Sequence, residues 1–377
     1  MTSGREARVR EAAGLYVHVP FCLTRCGYCD FNAYAGLGHL AGRYVRALAA
    51  EAGLAAAEWP DAPRFASVFF GGGTPTTLPS GDLAGLIERL SSTFALEAGA
   101  EVTVEANPDT VDHASLEGLL AGGVNRLSMG AQSFDPAVLA ALERVHGPDS
   151  VHRAFAQARG AGFGNVNLDL IFGANGETLA SWRRTLVEAV ALAPEHLSAY
   201  ALTIEPATPL GRAVAAGVTR APDPDLQADM FELACEVLGS AGYRHYEVSN
   251  WALPGFECVH NLGYWRHRPY LGLGAGAHSY RDGRRWWNLR PPQQYLEVVE
   301  SGALPVGGEE RLDAEALRLE SVFLRLRTSD GVTAEEVDRD RAEPFLAGGL
   351  LDQRDGRLVL TERGLFLAND VVLALAG

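Results

Sequence analysis

Cys22, Cys26 and Cys29 stand at spacings of four and three residues in the stretch Cys22-Leu-Thr-Arg-Cys26-Gly-Tyr-Cys29. Three thiols so close together are able to converge on one small object. Cuboidal iron–sulfur clusters are held by Cys thiolates, ordinarily four of them. Three ligands with none nearby to complete the set leave one iron open to an external chelate, and the amino and carboxylate groups of S-adenosylmethionine suit that position. Competing readings carry less. Five Cys in all is an odd number, and no secretory segment is present, which argues against a disulfide framework. Structural zinc wants a closed tetrahedral set, usually two ligand pairs, and no second pair with that spacing follows. Chance clustering in a Cys-poor chain is the remaining alternative.

The thiols follow a short apolar strand, Leu15-Tyr-Val-His-Val-Pro20, and strands alternate with amphipathic stretches from there to about Leu202. Ser67–Phe70, Glu101–Glu105, Arg126–Met129, Asn167–Ile171 and Leu197–Leu202 read as strands. Helical patterns lie between them near 39–58, 80–94, 114–121, 150–160 and 178–192. Ser80 and Thr178 occupy N-cap positions, and Gly162 follows a helix end. Such alternation implies parallel strands with helices outside. Six of them predict a partial, open α/β barrel rather than a closed eightfold one.

Ligand chemistry in parallel α/β folds sits at the carboxyl ends of the strands, and the unusual polar residues fall there. The Cys loop follows strand one, Gly71-Gly-Gly-Thr-Pro75 follows strand two, and Glu105-Ala-Asn-Pro108 ends strand three. Gly130-Ala-Gln132 follows strand four, and Asp169 lies within strand five. The glycine run would let backbone amides approach a ligand, since glycine has no Cβ to obstruct it; a tight turn is the competing reading. It lacks the Gly-Lys-Ser/Thr ending of a phosphate-binding loop. Taken singly, Glu105 could start a turn and Arg144 could be a solvated helix charge, but their shared location favours one site.

Past Leu202 the pattern loosens. Pro222–Gly242 reads as a long helix with Cys235 among its core positions, and Tyr246–Asn250 as a further strand. His260-Asn-Leu-Gly-Tyr-Trp265 sets an imidazole beside Tyr264 and Trp265, chemistry suited to gripping a porphyrin and its iron. A turn holding a hydrogen-bonded structural His is the competing reading. Gly302–Gly308 reads as a linker, dividing 1–301 from 302–377. Beyond it, Asp313–Arg327 is helical, Leu350–Leu360 forms a hairpin on an Asp355-Gly356 turn, and Thr361 caps a last helix over Glu362–Ala376. Helices plus a hairpin predict a small winged-helix-like domain.

Charge narrows the partners. The chain carries a formal charge of −15, which opposes phosphate backbones. From Glu309 onward there are nine Arg, no Lys and fifteen Asp or Glu, a net of −6. A nucleic-acid reader would present a basic face, so this domain is expected to be a cover or docking surface with no nucleic-acid partner. Apolar content of 47% fits a globular protein with a large core. No run of eighteen apolar residues occurs, so no membrane span is expected. The first fourteen residues are too charged for a signal peptide, and the expected location is cytoplasmic.

The run Leu15–Asn32, LYVHVPFCLTRCGYCDFN, resembles radical S-adenosylmethionine proteins, and among them the oxygen-independent coproporphyrinogen III oxidase family. HNLGYW is similar to a signature of that family's HemW (heme chaperone) branch, and the resemblance extends from Leu15 to the final helix. It implies a [4Fe–4S] cluster on Cys22, Cys26 and Cys29. S-adenosylmethionine would meet Gly72, Gly73, Thr74, Glu105, Gln132, Arg144 and Asp169, with Tyr16 and Tyr28 flanking the cluster loop. Heme would be held by His260, and His278 matches a substrate-side position or is a satisfied loop histidine. The implied function is a heme-binding chaperone that hands heme to an acceptor protein, a transient contact with a membrane protein included. The alternative is an oxidase converting coproporphyrinogen III propionates to vinyl groups. Phe31 stands where the oxidase branch typically carries a fourth Cys, and that branch has more sequence ahead of its first strand; both favour the chaperone. An unrelated radical enzyme is a third reading, because the adenosylmethionine half is generic.

Overall fold

The computed structural model describes residues 12–376; the charged segment up to residue 11, expected not to be a signal peptide, lies outside the described residues. The six expected strands form as β1 (Ala13–Val19), β2 (Phe65–Gly72), β3 (Leu96–Ala106), β4 (Arg126–Gln132), β5 (Val166–Phe172) and β6 (His196–Ala201). They lie side by side in chain order and run parallel. Between them run α1 (Ala41–Glu58), α2 (Ser80–Thr93), α3 (His113–Ala121), α4 (Pro148–Ala161) and α5 (Leu179–Ala191).

The parallel run has a seventh member. Further along the chain come β7 (Arg244–Glu247), β8 (Asn250–Ala252), β9 (Tyr270–Leu273), β10 (His278–Arg281), β11 (Arg284–Asn288) and β12 (Val306–Arg311). Of these, β9 pairs parallel with β1, Gly14 opposite Tyr270. The complete sheet has twelve strands in the order β12-β11-β10-β9-β1-β2-β3-β4-β5-β6-β8-β7. The pairings outside the run from β9 to β6 are antiparallel.

The strands alternate, and the alternation separates core from site. Leu15 and Val17, Val68 and Phe70, Val102 and Val104, Leu127 and Met129, and Leu168 and Leu170 are buried in one apolar cluster with residues of the surrounding helices. Each such side chain contributes roughly 1.5–3 kcal/mol when fully buried. The intervening positions turn to the other face, and the registers line them up in rows. Tyr16, Phe69, Thr103 and Arg126 make one row; Glu105, Ser128, Asn167 and His196 the next; Gly130, Asp169 and Ser198 the third. This inner face is polar, whereas parallel strands buried on both faces are ordinarily apolar throughout. Its side chains are therefore held by hydrogen bonds rather than by packing alone.

Local signals were obeyed unevenly. Thr178 caps α5 in a capping box with Ser181, and Gly162 ends α4 in the left-handed conformation. Ser80 is the first helical residue instead of the cap, because Pro79 takes that position and no side-chain cap forms. The expected strand Tyr246–Asn250 is divided by a turn into β7 and β8. The latter half of the expected linker Gly302–Gly308 is drawn into β12, so the large sheet runs past 301 to Arg311. The remaining residues build their own core around Val322, Leu326, Val332, Leu351, Leu358 and Val371. Their three-stranded sheet carries the expected hairpin, whose turn residues Asp355 and Gly356 both have positive φ, as its two-residue turn requires. No helix among the described residues is long and apolar enough to cross a membrane.

Candidate functional site

The loop carrying the thiols is tied at its base by a two-residue parallel ladder, Phe21–Cys22 against Tyr34–Ala35. Leu210 N donates to the carbonyl of Gly27, and Tyr28 packs beside Leu210 on the small cluster of Val138, Leu142, Ile171 and Leu202. Cys22, Cys26 and Cys29 are half-buried free thiols. They face one cavity of about 520 Å³ at the carboxyl ends of β1–β6, which Tyr28 also lines. Burial is the main influence that raises the Cys22 and Cys29 thiols above their ordinary range. Among the described residues no three His, Cys, Asp or Glu side chains gather closely enough for a single metal ion.

The opposite wall carries the remaining expected residues. Gly72, Gly73 and Thr74 line it from the end of β2, Glu105 from β3, Gln132 from β4 and Asp169 from β5. Arg144 joins them from the segment ahead of α4: its Nη1 donates to Cys26 Sγ at 3.4 Å and its Nη2 to the Gly130 carbonyl at 3.3 Å. Its Nε is buried without a partner, a donor left for whatever fills the cavity. Gln132 adopts a positive φ of 65°, a sparsely populated conformation for a side-chain-bearing residue and one that concentrates at sites.

Two carboxyls are set apart by their surroundings. Glu105 accepts from the Gly72 amide at 3.2 Å. Burial first, and the neighbouring Asp169 charge second, push its pKa up to about 8. Asp169 accepts from Ser128 Oγ at 3.0 Å and Asn167 Nδ2 at 2.9 Å, which fix both its oxygens. Burial raises its pKa as well. The pair is thus a poised acceptor for cationic or hydroxyl groups.

The glycine run works differently from the expectation. The Gly73 and Thr74 amides donate to the Val19 and Phe21 carbonyls, and the Gly72 amide is taken by Glu105. A Cβ on Gly72 would strike the His18 ring and one on Gly73 the Phe21 carbonyl. The glycines serve the close approach of β2 to the Cys strand, and the amides are spent within the protein.

Tyr16 lies apart from the thiol cavity. It lines an adjoining hollow and donates through its hydroxyl to His18 Nδ1 at 3.0 Å. His260 lines neither. It sits in a short helix, α6 (Val259–Trp265), pressed against β1 and β2. Its Nδ1 is 2.8 Å from Ser67 Oγ and its Nε2 is 3.0 Å from Tyr264 Oη. Phe69 stacks on the ring at 5.0 Å. It is 3% exposed, and burial, then the Arg126 charge, holds its pKa down to about 3. As placed, both ring nitrogens are committed to protein partners, which is the arrangement of a structural histidine rather than of an imidazole offered to iron.

Sequence reasoning missed the network beneath. Glu101 takes the Val259 and His260 amides and the Cys258 thiol on its two oxygens. Arg126, 2% exposed, lies among Cys258, Glu101, Tyr246 and Asp169. His196 bridges Asn167 Oδ1 and Tyr246 Oη at 2.6 and 2.7 Å. The available signal was the alternation of polar with apolar residues inside single strands, as in Glu101-Val-Thr-Val-Glu105 and Asn167-Leu-Asp169. Tyr200, at the end of β6, lines the thiol cavity and was also missed.

Residues 16–189 match the radical SAM superfamily, and residues 312–367 match the HemN C-terminal domain. A protein of Mycobacterium tuberculosis named heme chaperone HemW is 46% identical over 97% of this chain and 95% of its own length. The heme chaperone HemW of Escherichia coli K12 is 35% identical over 96% and 98%. The solved structure of the coproporphyrinogen III oxidase HemN from Escherichia coli, a radical SAM enzyme, superposes with a TM-score of 0.82. It is 25% identical and covers 97% of this chain and 90% of that one. With the thiol loop, the polar inner face and the C-terminal domain all in place, the chain belongs to the radical SAM superfamily and, within the coproporphyrinogen III oxidase family, to its HemW branch.

Proposed function

We propose that this chain is a heme chaperone that carries a [4Fe–4S] cluster and S-adenosylmethionine and passes heme to an acceptor protein. The observation that carries the reading is the meeting of three free thiols, two raised carboxyls and the partnerless Nε of Arg144 around one cavity. Cys22, Cys26 and Cys29 are the proposed cluster ligands. When bound, the cluster and the sulfonium cofactor supply one-electron chemistry. The protein binds and orients. Glu105 and Asp169 accept hydrogen bonds from the cofactor's ammonium and ribose hydroxyls, Arg144 steadies a thiolate or carboxylate charge, and Gln132 and Thr74 add polar contacts. Tyr28 closes the loop side against water. Phe31 stands 63% exposed at the mouth, where a fourth thiol would serve an oxidase. Likeness to HemN favours the oxidase as the second reading.

The test is anaerobic reconstitution with iron and sulfide, followed by hemin titration and transfer to an apo-heme protein. Adenosylmethionine products are measured in the same sample. Cluster absorption with stoichiometric hemin uptake and release is expected. A reconstituted protein that takes up no hemin would refute the chaperone.

A further inference from the structure

Beside the thiol cavity lies a groove that the residues above leave without an occupant. It consists of two adjoining hollows of about 390 and 460 Å³ that share Tyr264, Tyr270 and His278. Phe31 and Glu105 line the first hollow and the thiol cavity alike, so the groove opens directly off the cluster loop. Its walls are flat. Tyr264 comes from α6, Tyr270 from β9, Tyr280 from β10 and Trp287 from β11. Tyr264 and Tyr270 meet edge to face at 4.7 Å. Such rings present an apolar body with a polar tip, a surface suited to a large planar ring system.

Four histidines come near, and three are engaged. His18 uses both nitrogens, accepting from Tyr16 and donating to the Asn32 carbonyl at 3.0 Å. His260 is held by Ser67 and Tyr264. His267 stacks on Tyr280 at 4.5 Å, and its Nε2, 3.2 Å from a Glu320 carboxyl oxygen, makes no hydrogen bond but is buried. His278 differs. It is exposed, lines both hollows and rests on Trp287 at 5.8 Å, and among the described residues no hydrogen bond occupies its ring nitrogens. Burial on one side, with Arg290 and Arg285 nearby, lowers its pKa, which keeps a nitrogen lone pair available near neutrality. Arg290 lines the first hollow and has no ion pair among the described residues. Arg285, by contrast, is bound to Glu310 and Glu320.

We propose that heme lies in this groove with His278 as its iron ligand and Arg290 against a propionate. The bond is dative, from a neutral imidazole nitrogen to iron, and no proton or electron is transferred in forming it. The assignment rests on the heme reading above but replaces His260 as the iron ligand.

The experiment titrates hemin, and separately metal-free protoporphyrin IX, into wild-type, His278→Ala, Arg290→Ala and His260→Ala proteins. Cluster content and circular dichroism report folding. His278→Ala should shift the Soret band and weaken hemin binding by on the order of tenfold or more. It should leave metal-free porphyrin binding unchanged, and added imidazole should restore the band. Arg290→Ala should weaken both porphyrins on the order of tenfold without moving the Soret band. A wild-type band and affinity in His278→Ala would overturn the assignment while leaving the chaperone standing. Equal loss of both porphyrins in that variant would make His278 a wall residue and overturn it too. Wild-type protein that binds no hemin would remove the chaperone reading itself, and this assignment with it.

Discussion

Glu105 makes a prediction whose size follows from its surroundings. Burial and Asp169 together place its pKa at about 8, against 4.5 ordinarily, and the Gly72 amide and the Arg126 charge only partly oppose them. A ligand ammonium needs the carboxylate, so binding must draw a proton off. At pH 6 about one carboxyl in a hundred is ionised and at pH 7 about one in ten. S-adenosylmethionine should therefore bind about tenfold more tightly at pH 7 than at pH 6. Glu105→Gln keeps the shape but removes the charge. The loss of a charged acceptor costs about 1.5–3 kcal/mol, or on the order of ten- to hundredfold in affinity at pH 8, and the pH dependence should vanish with it. The same displacement acts on folding. A carboxyl whose folded pKa is raised lowers stability as pH climbs from 4.5 through about 8, because the unfolded chain ionises first. Glu105→Gln should flatten that slope. The assay is calorimetric titration of anaerobically reconstituted protein at pH 6, 7 and 8. Equal wild-type affinity at pH 6 and 7, or a Gln variant matching wild type at pH 8, would refute the reasoning.

Three further outcomes are expected. Alanine at Cys22, Cys26 or Cys29 should abolish the cluster, whereas Cys235→Ala and Cys258→Ala should keep it, since Cys258 is buried against Glu101 and Cys235 packs on the core; iron and sulfide assays decide, and a cluster surviving in Cys26→Ala would defeat the three-ligand scheme. Arg126→Ala removes a buried guanidinium that lies near Glu101 and Asp169, and urea denaturation should show a loss of about 3–5 kcal/mol, a loss under about 1 kcal/mol speaking against a charge-balancing role. Coproporphyrinogen III incubated anaerobically with reconstituted protein, S-adenosylmethionine and reductant should yield no protoporphyrinogen, and catalytic turnover would restore the oxidase reading.

The parallel half of the fold was legible because its signals are local. Runs such as Asn167–Ile171 are apolar at alternate positions, and the helices between them have clear periods and ends at Thr178 and Gly162. What lay hidden depends on distant partners. β9 joins β1 through the Leu271-Gly-Leu273 segment, whose central glycine does not read as a strand on propensity. Gly307 and Gly308 look like linker until Trp287 and Asn288 supply a neighbouring edge. At the site, spacing identified the thiols and position identified Glu105 and Asp169. The commitment of the Gly73 amide to Val19, and of the His260 ring to Ser67, is decided by which strand lies next door. A residue's own neighbourhood in sequence carries no trace of that choice.

The pairing of β1 with β9 bears on how the chain is made. Gly14 waits for Tyr270, so the strand that leads into the cysteine loop lacks one of its two neighbours until some 250 residues more have been synthesised. At roughly 5–20 residues per second that interval is on the order of ten to fifty seconds. Throughout it, one flank of β1 offers unpaired amides and carbonyls to any other strand. The polar side chains at its inner positions and the Pro20 that ends it make poor material for such a partner. Nascent chains caught in this window carry the open edge on which strand-to-strand aggregation would start.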